Sequence, residues 1–288
     1  MKQGRIIKLI GGIYTVVDES GQTINLKPIG LFRYQKIDPK VGDFVRFDED
    51  AIKEVMPRTN DLVRPSIANV DQALLVASAK RPDFSTLLLD KFLALVEYHG
   101  VRPVIIVSKV DLLDDAERQR LENVLSYYAK YFEVILFSTK TGEGREMIEN
   151  AVYGKVNVLT GQTGAGKSSL LNVLDPSLDL ATDDISEALG RGKHTTRHTE
   201  LIPLFGGWIA DTPGFSKLDF TGMEDVMLKD CYPDFLERSD HCRFHGCLHV
   251  SEPGCAVKDS LSTGEIPEER YQNYRKLLEE VRAIPKRY

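Results

Sequence analysis

The run Gly161-Gln162-Thr163-Gly164-Ala165-Gly166-Lys167-Ser168-Ser169 stands between the apolar segments VNVLT and LLNVL. Its spacing, G-x-x-x-x-G-K-[ST] between a strand pattern and a helix pattern, is that of a loop that wraps phosphate. Glycines let backbone N–H groups turn toward phosphate oxygens, and the helix N-terminus adds a favourable dipole. Lys167 is then placed to reach the β- and γ-phosphates, and the Ser168 hydroxyl to ligate Mg²⁺. A chance Gly-rich turn would lack these flanks.

Three further stretches carry related chemistry. Asp211-Thr212-Pro213-Gly214 follows the apolar run GWIA. A carboxylate at a strand end can hold Mg²⁺ through water, and the following Gly can offer its N–H to a γ-phosphate. Ser108-Lys109-Val110-Asp111 ends the run VRPVIIV and matches [NST]-K-x-D. In guanine-binding enzymes that Asp accepts hydrogen bonds from the base and the Lys lies along it. Ser138-Thr139-Lys140 ends another strand pattern and is like the S-A-K element bordering the base. D-x-P-G alone is an ordinary turn, persuasive beside a phosphate loop, and S-K-V-D alone is a common chance match. GRGKHTTRHTEL (190–201) is polar and Gly-interrupted, suited to a switch in which Thr196, or Thr195, completes Mg²⁺ coordination. The bland alternative is a basic loop whose Arg191, Lys193 and Arg197 touch RNA phosphate.

All the cysteines, Cys231, Cys242, Cys247 and Cys255, fall in one late segment, which in a reducing compartment favours metal over disulfides. Cys242-x₄-Cys247-x-His249-x₅-Cys255 suits a closed, structural, tetrahedral Zn²⁺ site. Its C-x-H spacing is unlike an ordinary zinc finger, and Cys231, His241 and His245 compete as ligands.

The elements that must position these residues follow from hydrophobic period. Residues 1–67 alternate apolar and polar positions between Gly turns, the pattern of an all-β, OB-like barrel. From Val70 onward strands alternate with helices: DQALLVAS, FSTLLLDKFLALVEYHG, VRPVIIVSK, DAERQRLENVLSYYAK, YFEVILFS, GREMIENAV, KVNVLT, KSSLLNVL, ELIPLF and GWIAD. That alternation predicts a mainly parallel α/β sheet. Beyond about Gly222 the chain is helical and Cys/His-rich. It ends in EERYQNYRKLLEEVRAI, whose Tyr271, Tyr274, Leu277, Leu278 and Val281 share a packing face.

The nucleotide elements therefore occur in the order base, base, phosphate, switch, Mg²⁺. With RPSIANVDQ (64–72), GRGKHTTRHTEL and CRFHGCLHVSEPGCAV (242–257), this order makes the whole chain resemble the circularly permuted, small-ribosomal-subunit-dependent GTPases, the RsgA (YjeQ or YloQ) family. It departs in having Ser108 where many GTPases carry Asn. The resemblance implies a multi-domain α/β protein: an OB-like RNA-binding barrel (1–67), a permuted P-loop GTPase (68–221) and a helical zinc module (222–288). It implies GTP/GDP, Mg²⁺ and one Zn²⁺ as cofactors, with Cys242, Cys247, His249 and Cys255 as the zinc ligands. Ser168, Thr196 and Asp211 would hold magnesium, and Ser108, Lys109, Asp111, Ser138, Thr139, Lys140, Gly161 to Ser169, Asp211 and Gly214 the nucleotide. Phe215 stands where other GTPases place a water-orienting Gln, and an apolar ring cannot orient water; His194 is the candidate in its place, beside Lys167 and Thr196. The alternative is that His194 contacts RNA or caps the loop.

The implied function is GTP hydrolysis on the small ribosomal subunit during late maturation, with 16S rRNA and ribosomal proteins as partners. The rival is a GTP-controlled rRNA-binding protein whose hydrolysis is incidental. A P-loop kinase fits less well, given SKVD and the zinc motif. Hydrophobic content of 42% and charged content of 28% suit a globular chain with real cores. The apolar runs are too short to cross a bilayer, and no signal peptide is apparent at the N-terminus. A cytoplasmic monomer without a membrane partner is the expectation. A net charge of −6 argues against a globally basic nucleic-acid binder and leaves local patches open.

Overall fold

The computed structural model describes residues 1–63, 65–180, 200–210 and 218–285. Strands β1 (Lys2–Ile10), β2 (Ile13–Asp18), β3 (Thr23–Pro28), β4 (Phe44–Phe47) and β5 (Ala51–Val55) close a barrel in the order β1-β2-β3-β5-β4. Period-2 alternation sends Ile6, Tyr14, Val16, Leu26, Val45, Phe47 and Ile52 inward, where all are buried. The register slips between Ile6 and Lys8, a bulge in a strand that pairs with both β2 and β4. Gly4 is required here, since a Cβ would stand 2.4 Å from the Val17 carbonyl oxygen. Alternation alone did not foresee helix α1 (Leu31–Gln35), which lies between β3 and β4 and buries Phe32. Five residues are too few to show a helical period.

After the barrel, β6 (Asp61–Leu62) and β7 (Ile67–Ala68) form a short antiparallel pair. The fully buried Asp43 carboxylate accepts from Arg58 Nε and Nη2 at 2.7 and 2.8 Å and from the Lys40 amide at 2.7 Å. Arg58 also reaches Asp61 at 2.7 Å, so one guanidinium ties the barrel to this pair.

The predicted alternation then appears as β8 (Gln72–Ser78), α2 (Thr86–Tyr98), β9 (Arg102–Ser108), α3 (Asp115–Tyr128), β10 (Glu133–Leu136), α4 (Arg145–Val152), β11 (Val156–Gly161), α5 (Lys167–Leu174), β12 (Leu201–Leu204) and β13 (Gly207–Ala210). The sheet order is β10-β9-β8-β11-β13-β12. Strands β10 and β9 run parallel, as do β11 and β13, while β12 turns back antiparallel on β13. The last elements are α6 (Asp225–Leu228), α7 (Pro233–Ser239), α8 (Ala256–Ser262) and α9 (Glu268–Ala283).

By contacts the chain divides into two compact units, taken over described residues. One comprises Met1–Leu74, Gly144–Thr160 and Lys167–Gly214; the other comprises Leu75–Glu143, Gly161–Gly166 and Phe215–Tyr288. In the second unit the expected face of α9 is buried, with Tyr274 and Leu277 wholly inaccessible. The same helix carries Arg270, also buried, between the carboxylates of Asp90 on α2 and Asp234 on α7. Its Nη2 and Nε reach Asp234 at 2.8 and 3.1 Å, and Nη1 pairs with Asp90. Tyr127 and Tyr128 of α3 donate to Asp234 and Asp90, each at 2.8 Å, and Asn273 donates to Asp90 at 2.8 Å. The guanidinium lies 4.2 Å from the centre of the Tyr232 ring. Burial pushes the Asp90 carboxyl up, against the pull of Arg270.

Removing Arg270 leaves two carboxylates buried without their cation. Arg270→Ala should therefore cost about 3–5 kcal/mol of stability. The Arg270→Met, Asp90→Asn, Asp234→Asn triple variant should recover much of that loss. Denaturant midpoints measure both, and a single variant as stable as the parent would refute the account.

Candidate functional site

The loop after β11 is shaped by its glycines. Gly161 has φ +124°, and a Cβ there would lie 2.1 Å from the Val76 carbonyl oxygen, so only glycine can pass β8 at this distance. Gly164 and Gly166 also take positive φ, +77° and +87°, which other residues rarely adopt. The Ala165 amide donates to Gln162 O at 3.2 Å, tightening the turn, and the Ala165 side chain is buried. Such a run of turned amides is an anion nest, and it opens directly into α5, which starts at Lys167 with Ser168 buried in its first turn. The backbone fits a nucleoside phosphate.

The proposed base reader rests against this turn. Ser108 Oγ donates to Ala165 O at 2.5 Å and lies 3.2 Å from Ala77 O. Lys109, itself at φ +60°, donates from Nζ to Gly164 O at 2.6 Å and to Arg81 O. Burial lowers its ammonium below the usual lysine range. Asp111 is set by its neighbour strand: Ser138 Oγ donates to Asp111 Oδ1 at 2.7 Å. The same hydroxyl accepts the amides of Lys140 and Thr141, each at 3.1 Å. Thr139 and Lys140 are exposed. The two sequence signatures at the ends of β9 and β10 thus meet in one hydrogen-bonded group. The residue Ser108, which departs from the usual Asn, is itself the link to the phosphate turn. Its short side chain gave no hint of that from sequence.

The residues expected at the γ-phosphate side, His194, Thr195, Thr196, Asp211, Gly214 and Phe215, lie outside the described residues, as do Arg191, Lys193 and Arg197.

Cys242, Cys247, His249 and Cys255 come together with ligand atoms all within 4.8 Å of one another. His249 Nδ1 is 3.3 Å from Cys255 Sγ and 3.7 Å from Cys242 Sγ. Bonds of ~2.0–2.3 Å in a tetrahedron put donors roughly 3.3–3.8 Å apart, so the set fits one Zn²⁺. Burial pushes the His249 imidazole down to about 4, keeping it in the neutral form that can ligate a metal. Its other nitrogen, Nε2, faces Ser239 Oγ at 3.3 Å. Tyr271 and Tyr274 of α9 donate to the carbonyls of His249 and Leu248 at 2.7 and 2.8 Å. Glu252 accepts the amides of Leu248, Val250 and Ser251 at 2.8 to 3.0 Å. Sequence reading missed these supports, because a Tyr on an apolar helix face reads only as packing. The competitors stand aside. Cys231 is buried with its thiol pushed up to about 12 by burial and directed at Met227 O, and His241 and His245 are exposed.

Two family models match, the RsgA N-terminal domain over residues 3–55 and the RsgA GTPase over residues 55–221. The chain belongs to the RsgA GTPase family. It is 48% identical over 294 residues to the small ribosomal subunit biogenesis GTPase RsgA of Bacillus cereus strain ATCC 10987, covering all of both chains. The protein of the same name from Bacillus pumilus is 49% identical over 300 residues, again over all of both chains. Among solved structures, YloQ, described as a circularly permuted GTPase, matches with TM-score 0.86 at 40% identity, over 100% of this chain and 97% of that one. YjeQ from Thermotoga maritima matches with TM-score 0.88 at 35% identity over 99% of each.

As an RsgA GTPase the chain hydrolyses GTP, with Mg²⁺ as the metal of that reaction. In its order the proposed base reader after β9 precedes the proposed phosphate loop after β11, the permuted arrangement.

If the turn and the base reader act as described, Gly161→Ala should abolish GTP binding, because the new methyl meets the β8 backbone. Ser138→Ala should weaken GTP binding by roughly 3- to 10-fold, about the value of one hydrogen bond, while leaving zinc content unchanged. Fluorescent-nucleotide titration with metal analysis reads both, and full affinity in Gly161→Ala would remove the turn from the site.

Proposed function

We propose that this protein binds the small ribosomal subunit and hydrolyses GTP during the subunit's late maturation. The supporting observation is likeness over the whole chain to proteins named small ribosomal subunit biogenesis GTPase. The barrel (1–67) and the zinc module (222–288) grip the subunit, its 16S rRNA or its proteins, and residues 68–221 carry the chemistry. The setting is the cytoplasm, and the protein acts as a monomer without a membrane partner; no helix among the described residues is long and apolar enough to cross a bilayer.

The reaction is attack of water on the γ-phosphate. Backbone amides of Gly161 to Ser169 cradle the phosphates, and Lys167 offsets charge on the β- and γ-oxygens in both ground and transition states. Ser168, Thr196 and Asp211 would hold Mg²⁺, which when bound would supply positive charge against that developing on the same oxygens. Asp111 accepts the guanine N1 and N2 hydrogens, and Lys109 lies along the base, with Ser108, Ser138, Thr139 and Lys140 shaping the pocket. Gly214 offers its amide to the γ-phosphate. Because Phe215 cannot orient water, His194 does so, and it acts only in the transition state.

Titrating purified small subunits into the enzyme should raise GTP turnover. His194→Ala should lower that stimulated turnover at least tenfold with little change in GTP affinity, whereas Lys167→Ala should abolish it. Turnover indifferent to subunits would sink the proposed function. Full stimulated turnover in His194→Ala would remove only the histidine from it.

A further inference from the structure

The metal site displays a short loop with an unusual set of exposed side chains. Between Cys242 and the buried Cys247 stand Arg243, Phe244, His245 and Gly246, every one of them exposed. Phe244 leaves 45% of its surface open to water. A phenyl ring exposed to that extent stands outside the buried core. The Arg243 guanidinium stands 5.6 Å from the centre of that ring, so cation and π-face are presented together.

The loop is held from both sides. Both of its ends carry metal ligands. The Arg243 amide donates to Gly254 O at 2.9 Å, and the Cys247 amide closes a turn onto Phe244 O at 3.1 Å. Lys229 Nζ approaches His245 O at 3.5 Å and is itself paired with Asp230 at 3.6 Å, which leaves Arg243 as the cation of the loop itself. Glu252, the carboxylate nearest in the motif, is turned onto the backbone amides of Leu248, Val250 and Ser251. No acidic side chain occurs between the two cysteines.

We propose that Arg243–His245 is an RNA-docking loop: an unpaired base stacks on Phe244 while Arg243 holds the adjoining phosphate. The proposal rests on the function argued above and names the surface and partner class within the zinc module. Its physical basis is that an aromatic face is a platform any base can use, and a guanidinium beside it matches phosphate. A protein partner would use the same ring differently, seating it in an apolar pocket. Arg243 beside the ring, with no carboxylate between the two cysteines, favours the polyanion. Fixing the loop by the metal removes the ordering cost that a free loop would incur on binding.

The test uses full-length, zinc-loaded protein and two probes, intact small subunits and protein-free small-subunit rRNA. Phe244→Ala should weaken binding to both by roughly 5- to 100-fold, the range of one lost base stack, and Phe244→Trp should restore it. Arg243→Ala should reduce the slope of log affinity against log salt by about 1. Zinc content and GTP affinity should be unchanged in all three, which separates docking from folding. Parent-like rRNA binding by Phe244→Ala overturns the proposal. Loss on intact subunits with rRNA binding unchanged also overturns it, assigning the loop to a protein surface. A parent protein that binds neither probe fails at the earlier step, since it refutes the function on which the loop's role depends.

Discussion

A guanidinium shut away from water between two carboxylates holds the second compact unit together. Arg270 on the last helix, Asp90 on α2 and Asp234 on α7 come from distant parts of the chain, and α3 adds two tyrosine hydroxyls. Such a group is poorly justified by energy alone, because desolvating three charges offsets most of their attraction. Its effect is on geometry. Apolar helices slide against one another at small cost, whereas this pair tolerates one register. Tyr271 and Tyr274, on the same helix, then reach the carbonyls beside the metal ligand His249. The metal centre and the helices next to the base reader are thus located by a single strut.

The nucleotide elements show a similar economy. Ser108 and Lys109 bond to the carbonyls of Ala165 and Gly164, so the base reader and the phosphate turn are braced as one piece. Asp111 owes its position to Ser138, a residue from a different strand. The carboxylate accepts that hydroxyl at one oxygen, and the hydroxyl in turn is fixed by two backbone amides. Recognition here is distributed over short contacts, none of them long enough to sag.

Much of this could be read before any coordinates. Uninterrupted apolar runs such as VIIV and ALLV marked buried strands, and DAERQRLENVLSYYAK marked a helix, which the structure opens with a capping box of Asp114 and Glu117. The metal motif was legible because soft and borderline donors crowd into a short span, and the family resemblance picked Cys242, Cys247, His249 and Cys255 from among their competitors. What escaped were interactions without local period. Arg270 looks like any solvated arginine on an amphipathic helix, and Asp90 like an exposed residue inside an apolar pattern; only long-range packing makes them partners. Helix α1 escaped because five residues cannot declare a period. Ser108 read only as a departure from the usual Asn, yet its short arm reaches the loop carbonyl directly.

The permuted order acquires meaning from what the base cannot tell. GTP and GDP present the same guanine edge, so the base contacts proposed above for Asp111 and Lys109 would be blind to the γ-phosphate. The metal module shares a compact unit with that base reader and the phosphate turn, and by packing alone it would follow occupancy rather than nucleotide state. Covalent order supplies the other route. The D-T-P-G segment, assigned above to the γ-phosphate, runs without interruption into Leu218, which packs on the core of Leu75, Phe92, Val107 and Leu125. From there the chain enters α6 and the metal module. In an unpermuted enzyme the same segment would continue into the next part of the sheet, where a shift is absorbed by neighbouring strands. Here it is followed by a core anchor and then by a module that bears an exposed aromatic loop. Permutation therefore places the metal module directly downstream of the stretch proposed above to face the γ-phosphate.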